Sequence, residues 1–381
     1  MSDRRVTLSI PSILSIVLAV LLIILLWRLR ELLLLLMVAI VLAASVSPIV
    51  DWLETRKVPR WLAITLVYLV LIVGFVGIGL LIGPTVIQQT QRLISRLPAY
   101  YEALFIWVED LASRLNTSQP ELVAKLINPQ ELVNWAIRSS QQVVLRSYGL
   151  TRGLVGYLVG FILVLLMSGY MLAGSKGLIQ GIVQLFPAPW DKRLLEQVKP
   201  VTQRMGGFIA GRAIVSAILG VVITIGLNFL GLSEFALALG VIAGFMNLVP
   251  LIGPIVGAIP ALIVALAMGG FTWLWVLLLF VVVQNLEGNF LTPVLIGSSV
   301  KLHPFYVFLA VLGGTQVLDF LGALIVPPWV AGAAVILDNL YLQPKLAGEM
   351  VQANQDAGAA SAIVRSGERP TSALTSDEPS G

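Results

Sequence analysis

Glu287 stands inside an apolar run, in the segment QNLEGNFLTP that begins at Gln284. A charge at the centre of a membrane helix costs on the order of 2.5–3.5 kcal/mol, so such a residue needs a partner or a watery cavity. Gln284 and Glu287 are three apart and Asn285 and Asn289 are four apart, which puts them on adjoining parts of one helix surface. That face could hydrogen-bond a small hydroxylated solute or hold a cation; alternatively, with Pro293 close behind, it meets headgroups and water at a membrane edge. Asp319 lies between two apolar runs, with Gln316 just before it. It either binds a cation or proton or, the reading its residue type favours, caps the helix that follows. Arg212 could pair with a carboxylate, but its place six residues into an apolar run starting at Gly206 favours snorkelling to the cytoplasmic edge. His303, just before Pro304, reads as a cap or anchor, with a proton relay as the alternative. Glu287, Asp319 and His303 are thus the candidates for coupling to protons or cations.

The elements that position these residues are membrane helices. Apolar residues make up 58% of the chain, charged ones 12%, and the mean hydropathy is +0.94, values that mark an integral membrane protein. There is no cysteine, which excludes disulfides, thiolate metal sites and cysteine nucleophiles, and a single histidine speaks against zinc chemistry. No nucleophile–base pair, phosphate loop or metal constellation is present, so no enzyme activity and no cofactor are expected. The net charge of +4 comes from basic residues scattered over short loops, which argues against a nucleic-acid partner.

Full spans are expected at Ile10–Trp27, Leu32–Val50, Trp61–Gly83, Thr151–Ala173, Gly206–Leu230 and Trp273–Leu291. The first three form a unit over 1–83. An amphipathic helical insert, outside the bilayer or on its surface, covers 84–150 and is punctuated by Pro98, Pro120 and Pro129. The fourth span and a polar linker occupy 151–205, and a disordered cytoplasmic tail is expected over 343–381. Placing Arg4 and Arg5, the Asp51–Arg60 loop and the linker on one side satisfies the positive-inside rule and makes both termini cytoplasmic.

The core of 206–342 is unusual. Phe235–Val249 and Ile255–Met268 are too short to cross singly, and GFMNLVPLIGPIVGAIP between Gly244 and Pro260 carries Pro250, Pro254 and Pro260. A break at membrane depth persists only where it is buried in protein or lines a cavity, so this stretch, with Asn247, Gly253 and Gly257, is a candidate binding or gating site. Phe305–Leu318 and Phe320–Leu337 form a second short pair. A shift of about 69 lays Gly253 over Gly322, Gly244 over Gly313 and Pro250 over Asp319, with Pro260 one place from Pro328. Read as two oppositely inserted re-entrant hairpins beside about six full spans, this all-α polytopic plan follows the inverted-repeat logic of secondary transporters, whose interrupted segments mark the binding site. The alternative is eight spans with kinks.

NLVPLIGPIVGAIPALIVAL from Asn247, QNLEGNFLTPVLIG from Gln284 and the Leu302–Pro304 step together resemble the autoinducer-2 exporter (AI-2E) family, and the order of spans agrees with it over nearly the whole chain. Asn247, Pro250, Gly253, Pro254, Gly257, Pro260, Gln284, Glu287, Asn289 and Pro293 stand where the family motif stands. Asp319 departs from a pattern that is usually apolar or glycine there. The resemblance implies an oligomeric transporter in the inner (plasma) membrane, here a homo-oligomer, exporting a small polar solute with autoinducer-2 as the name-giving case. Other relatives are associated with sodium or lithium exchange for protons, which makes a cation/proton antiporter the alternative. A non-transporting oligomeric scaffold is the reading from another class.

Overall fold

A computed structural model describes residues 10–114, 159–295, 303–350 and 352–353, and these are helical throughout apart from turns. The helices are α1 (Ile10–Arg28), α2 (Arg30–Thr55), α3 (Arg60–Arg114), α4 (Val159–Ala173), α5 (Ser175–Val183), α6 (Trp190–Phe229), α7 (Ala236–Met246), α8 (Ile252–Ala267), α9 (Thr272–Leu286) and α10 (Pro304–Leu337). A π turn, Glu287–Leu291, and the short helix Thr292–Leu295 extend α9, and a second π turn, Asp338–Leu342, extends α10. Five helices are long and apolar enough to cross a membrane, and a sixth span is formed if α4 and α5, bent by 79° from each other, count as one. The protein is therefore an all-α polytopic membrane protein.

α6 is the wall on which the rest is built: α2, α7, α9 and α10 all pack against it. Lipid tails are as apolar as leucine, so helices in a bilayer associate through close packing at small residues. A Cβ at Gly206 would fall 2.1 Å from the Ala44 carbonyl oxygen of α2. Pro48 has no N–H to give that carbonyl, so the glycine fits over an oxygen that its own helix leaves free. Along the far half of α6, Gly220 approaches Gly240 and Gly244 of α7, and a Cβ at Gly244 would sit 2.9 Å from Ser216 O.

The first hairpin is α7 and α8. They are 11 and 16 residues long, about 16 and 24 Å at helical rise, and neither spans a hydrocarbon core of about 30 Å. The chain reverses between them at Leu251, whose φ of 68° lies in the left-handed region. Gly253 and Gly257 then let the arms touch: a Cβ at 253 would fall 1.9 Å from Met246 O, and one at 257 would fall 2.9 Å from Ala243 Cα.

α10 is the second hairpin, folded at Leu318 (φ −138°) and Asp319 (φ 52°, ψ −137°). Residues eight apart on a straight helix are about 12 Å apart. Here a Cβ at Gly322 would lie 2.0 Å from Gly314 O, so the chain has doubled back. Gly322 is thus the counterpart of Gly253, as the internal alignment predicts, but its partner is Gly314; Gly313 meets nothing within 4 Å.

The hairpins approach α6 from opposite ends. α7 lies along Ser216–Thr224, whereas the second arm of α10 meets Val201 and Met205 through Gly332, and Asn339 donates to Gln197 at 2.6 Å. Their tips meet between: Phe245 stacks on Phe320 with centroids 4.8 Å apart, and Val249, Val311 and Ala323 form one buried cluster. Both short pairs are therefore hairpins rather than kinked spans.

Several boundaries differ from the sequence reading. α3 runs unbroken through Pro84 and Pro98 for 55 residues, about 80 Å, so span and insert share one helix. The linker of 174–205 is helical, as α5 and the first half of α6. Residues 343–350, assigned to the tail, continue helically. Pro120, Pro129, Arg4, Arg5, the start of the fourth span and the end of the tail fall outside the described residues. α3 also braces the first hairpin: Gln89 Oε1 accepts from Ala238 N–H at 2.8 Å, taking up one of the four donors that a helix start leaves open, and Arg96 pairs with Glu234 at 2.8 Å.

Gly322→Ala should destabilise the folded chain by about 1–3 kcal/mol, because the new methyl group must displace backbone, while Gly313→Ala should be neutral within about 0.5 kcal/mol. Unfolding midpoints of the two variants in detergent test the hairpin directly.

A candidate solute site between the hairpin tips

Arg212, Ser216, Asn247 and Glu287 are the buried polar side chains around the tip of the first hairpin, with relative exposures of 5%, 3%, 2% and 3%. Arg212 and Ser216 are one turn apart on α6, so they face the same way. Asn247 ends α7, where the chain leaves the helix for the break, and Glu287 opens the π turn of α9. A π turn spreads its residues over a wider loop than an α turn and is frequent at functional sites.

Arg212 Nη1 donates to Glu287 Oε1, and Nη2 donates to Asn247 Oδ1 at 3.3 Å. Three elements are thereby joined around one guanidinium. The network is nevertheless half used. Arg212 Nε, Ser216 Oγ, Asn247 Nδ2 and Glu287 Oε2 are buried and without a hydrogen-bond partner among the described residues. Buried polar atoms are almost always paired. Four such atoms, three able to donate and one only to accept, belong to Arg212, its two partners and the serine one turn along α6.

The candidates from the sequence divide sharply. Glu287 and Asn247 come together here, and Pro250, Gly253 and Gly257 are buried in the break that sets the position of Asn247. Pro254 and Pro260 are half-buried in α8. Gln284, Asn285, Asn289 and Pro293 are exposed, and Asn285 merely donates back to Val281 O at 2.8 Å. Of the polar face expected here, Glu287 alone is buried. Gln316 and Asp319 are exposed at the second bend. The Asp319 carboxylate makes no capping bond; its residue type serves the positive φ instead, which aspartate tolerates better than most. His303 does cap, its Nδ1 accepting from Phe305 N–H at 3.3 Å.

Within the break the N–H groups of Asn247, Leu248, Val249, Ile252 and Gly253 are bonded inside the turn, at 2.8–3.1 Å. Arg212 does not snorkel: α6 begins at Trp190, so the guanidinium lies well along the helix and turns to the carboxylate. The signal for it was present in the sequence, as one cation and one anion in two otherwise apolar spans, each requiring a partner.

The profile of the family described as AI-2E family transporter matches residues 14–342. The chain belongs to the AI-2E transporter family. Its relatives include proteins named "Putative transport protein" in Bacillus subtilis (strain 168) and Escherichia coli K12. YrrI of B. subtilis is 28% identical over 310 residues, covering 79% of this chain and 84% of the relative. YueF of the same organism is 26% identical, with 81% and 84% covered. YhhT of E. coli K12 is 24% identical, with 82% and 85% covered. The matched region includes both hairpins and every member of the buried cluster. This AI-2E protein is thus a multi-pass membrane protein of a transporter family, with its polar interior where two inverted hairpins meet.

Removing one member of a buried ion pair strands the other charge. Arg212→Gln and Glu287→Gln should each cost about 3–5 kcal/mol of stability, and the double variant should recover most of that loss. Unfolding midpoints of the three variants in detergent give the coupling energy; strict additivity would mean the pair is not formed.

Proposed function

We propose that this AI-2E protein is a secondary transporter that exports a small polar solute across the plasma membrane, using the cluster at the hairpin tips as its binding and gating site. The observation that carries the reading is the set of four unpartnered buried polar atoms, drawn from α6, the α7 tip and the π turn of α9. Oppositely inserted hairpins supply the rest: Phe320 of the second tip stacks on Phe245 of the first, two residues from Asn247, so a movement of either tip would change access to the cluster. The sequence holds no nucleotide-binding loop, so a gradient drives the movement. Autoinducer-2, after which the family is named, is the first cargo to test.

The antiporter reading fits this cluster less well, because Glu287 already faces a cation in Arg212 and has no charge to spare for sodium. In this proposal both termini are cytoplasmic, because Arg4 and Arg5, the Asp51–Arg60 loop and the basic 174–205 segment then share one side. A homo-oligomer remains part of the proposal.

In proteoliposomes loaded with labelled autoinducer-2, Asn247→Ala and Ser216→Ala should slow efflux at least about tenfold, the effect of losing one hydrogen bond to a buried charged or polar guest. Both variants should keep the wild-type unfolding midpoint within a few degrees. Equal efflux from wild-type vesicles and protein-free vesicles would favour the scaffold reading.

A further inference from the structure

We infer that the cargo carries a carboxylate and that Glu287 occupies, in the closed state, the place on Arg212 that the cargo's carboxylate takes when bound. This rests on the transport reading and narrows the substrate class of the same site: autoinducer-2, which has no carboxylate, would then be a poor cargo of this chain. The geometry is that of an ion pair left open. A guanidinium offers a planar fork that holds a carboxylate through two parallel bonds. Arg212 gives Glu287 one bond only, through Nη1, while Nε stays without a partner and Glu287 Oε2 stays without a donor. Two groups built for a two-bond fit, both about 95% or more buried, stop at one. A pair with a purely structural role would be expected to close both bonds, since a half-satisfied buried network is worse than an apolar one.

Charge decides how the exchange runs. The cluster is neutral, with Arg212 balancing Glu287, and Ser216 and Asn247 bring no charge from α6 or the hairpin tip. An anion added to it would leave one uncompensated charge at membrane depth. Neutrality is kept if the anion arrives with one proton. The bond from Arg212 Nη1 to Glu287 Oε1 breaks, the cargo's two oxygens take Nη1 and Nε, and the proton released by the acid goes to a Glu287 oxygen. Nothing is oxidised or reduced. Glu287, now a neutral acid with one O–H, can donate to the cargo, and Asn247 Nδ2 and Ser216 Oγ remain for a hydroxyl beside the carboxylate. One proton thus travels with each anion, so export is electroneutral and runs down the cargo's own outward gradient.

The test is binding of lactate, acetate and 1,2-propanediol to the full chain in lipid nanodiscs, by calorimetry between pH 5.5 and 7.5. Propanediol shares the hydroxylated skeleton of lactate without the charge. The expected result is lactate binding that tightens about tenfold for each unit the pH falls, with one proton taken up per anion, and far weaker propanediol binding. Glu287→Gln should bind lactate at least as tightly as wild type and lose the pH dependence, because its site is already a cation. The Arg212→Gln/Glu287→Gln double variant, which stays folded if the stability cycle closes, should not bind lactate. The inference is overturned if propanediol binds as tightly as lactate, if lactate binding is flat with pH in the wild type, if Glu287→Gln abolishes it, or if neither acid binds. Propanediol binding without lactate binding, together with wild-type autoinducer-2 efflux, would leave the transport reading standing and remove only the carboxylate.

Discussion

One guanidinium, that of Arg212, determines how the interior closes. Taking a charge out of water costs several kcal/mol, and the attraction of a counter-charge repays it only when the geometry is good and the other polar atoms are satisfied. Arg212 meets Glu287 from one helix and Asn247 from a hairpin tip, so α6, α9 and α7 must hold fixed positions relative to one another for either charge to be tolerated. The π turn belongs to the same constraint. It starts at Glu287 and leaves Gln284, Asn285 and Asn289 facing outward. Because the pair is only half closed, the constraint holds the elements in register without saturating the site.

The hairpins can crowd around that pair because their contacts are made by backbone. Glycines at 206, 220, 240, 244, 253, 257, 314 and 322 each stand where a Cβ would strike a neighbour within about 3.2 Å. Removing side chains at these points brings the helices close enough for dispersion contacts to accumulate, which is the main cohesive force available inside lipid. It also lets the main chains of α6 and the first hairpin touch along Gly220, Gly240 and Gly244, with the Thr224 side chain against Gly240. The second hairpin meets α6 through Gly332, against the Val201 and Met205 side chains.

α3 adds contacts at both ends of the helical assembly. Arg60 gathers Asp51, Glu54, the Leu172 carbonyl and Ser175 at one end, which fastens α2, α3, α4 and α5 together. Farther along, Gln89, Arg96 and Tyr100 hold the base of the first hairpin, Tyr100 edge-on to Phe235 with centroids 6.3 Å apart. These contacts give the first hairpin a fixed root on α3.

The sequence by itself determined the membrane class, the helical content, the two interrupted pairs and their internal alignment, because hydropathy, length and proline placement act locally and leave their mark in consecutive residues. It singled out Asn247 and Glu287 for the same reason: a polar residue in an apolar run is costly wherever it lies. Only the tertiary structure decided that Arg212 turns inward, that Ser216 joins it, and that Gln284, Asn285 and Asn289 turn away. Those outcomes depend on which helix faces which and on the rotation of each about its axis. That rotation is set by close contacts between residues far apart in the chain, such as Gly206 against Ala44 and Gly244 against Gly220, which no local pattern encodes.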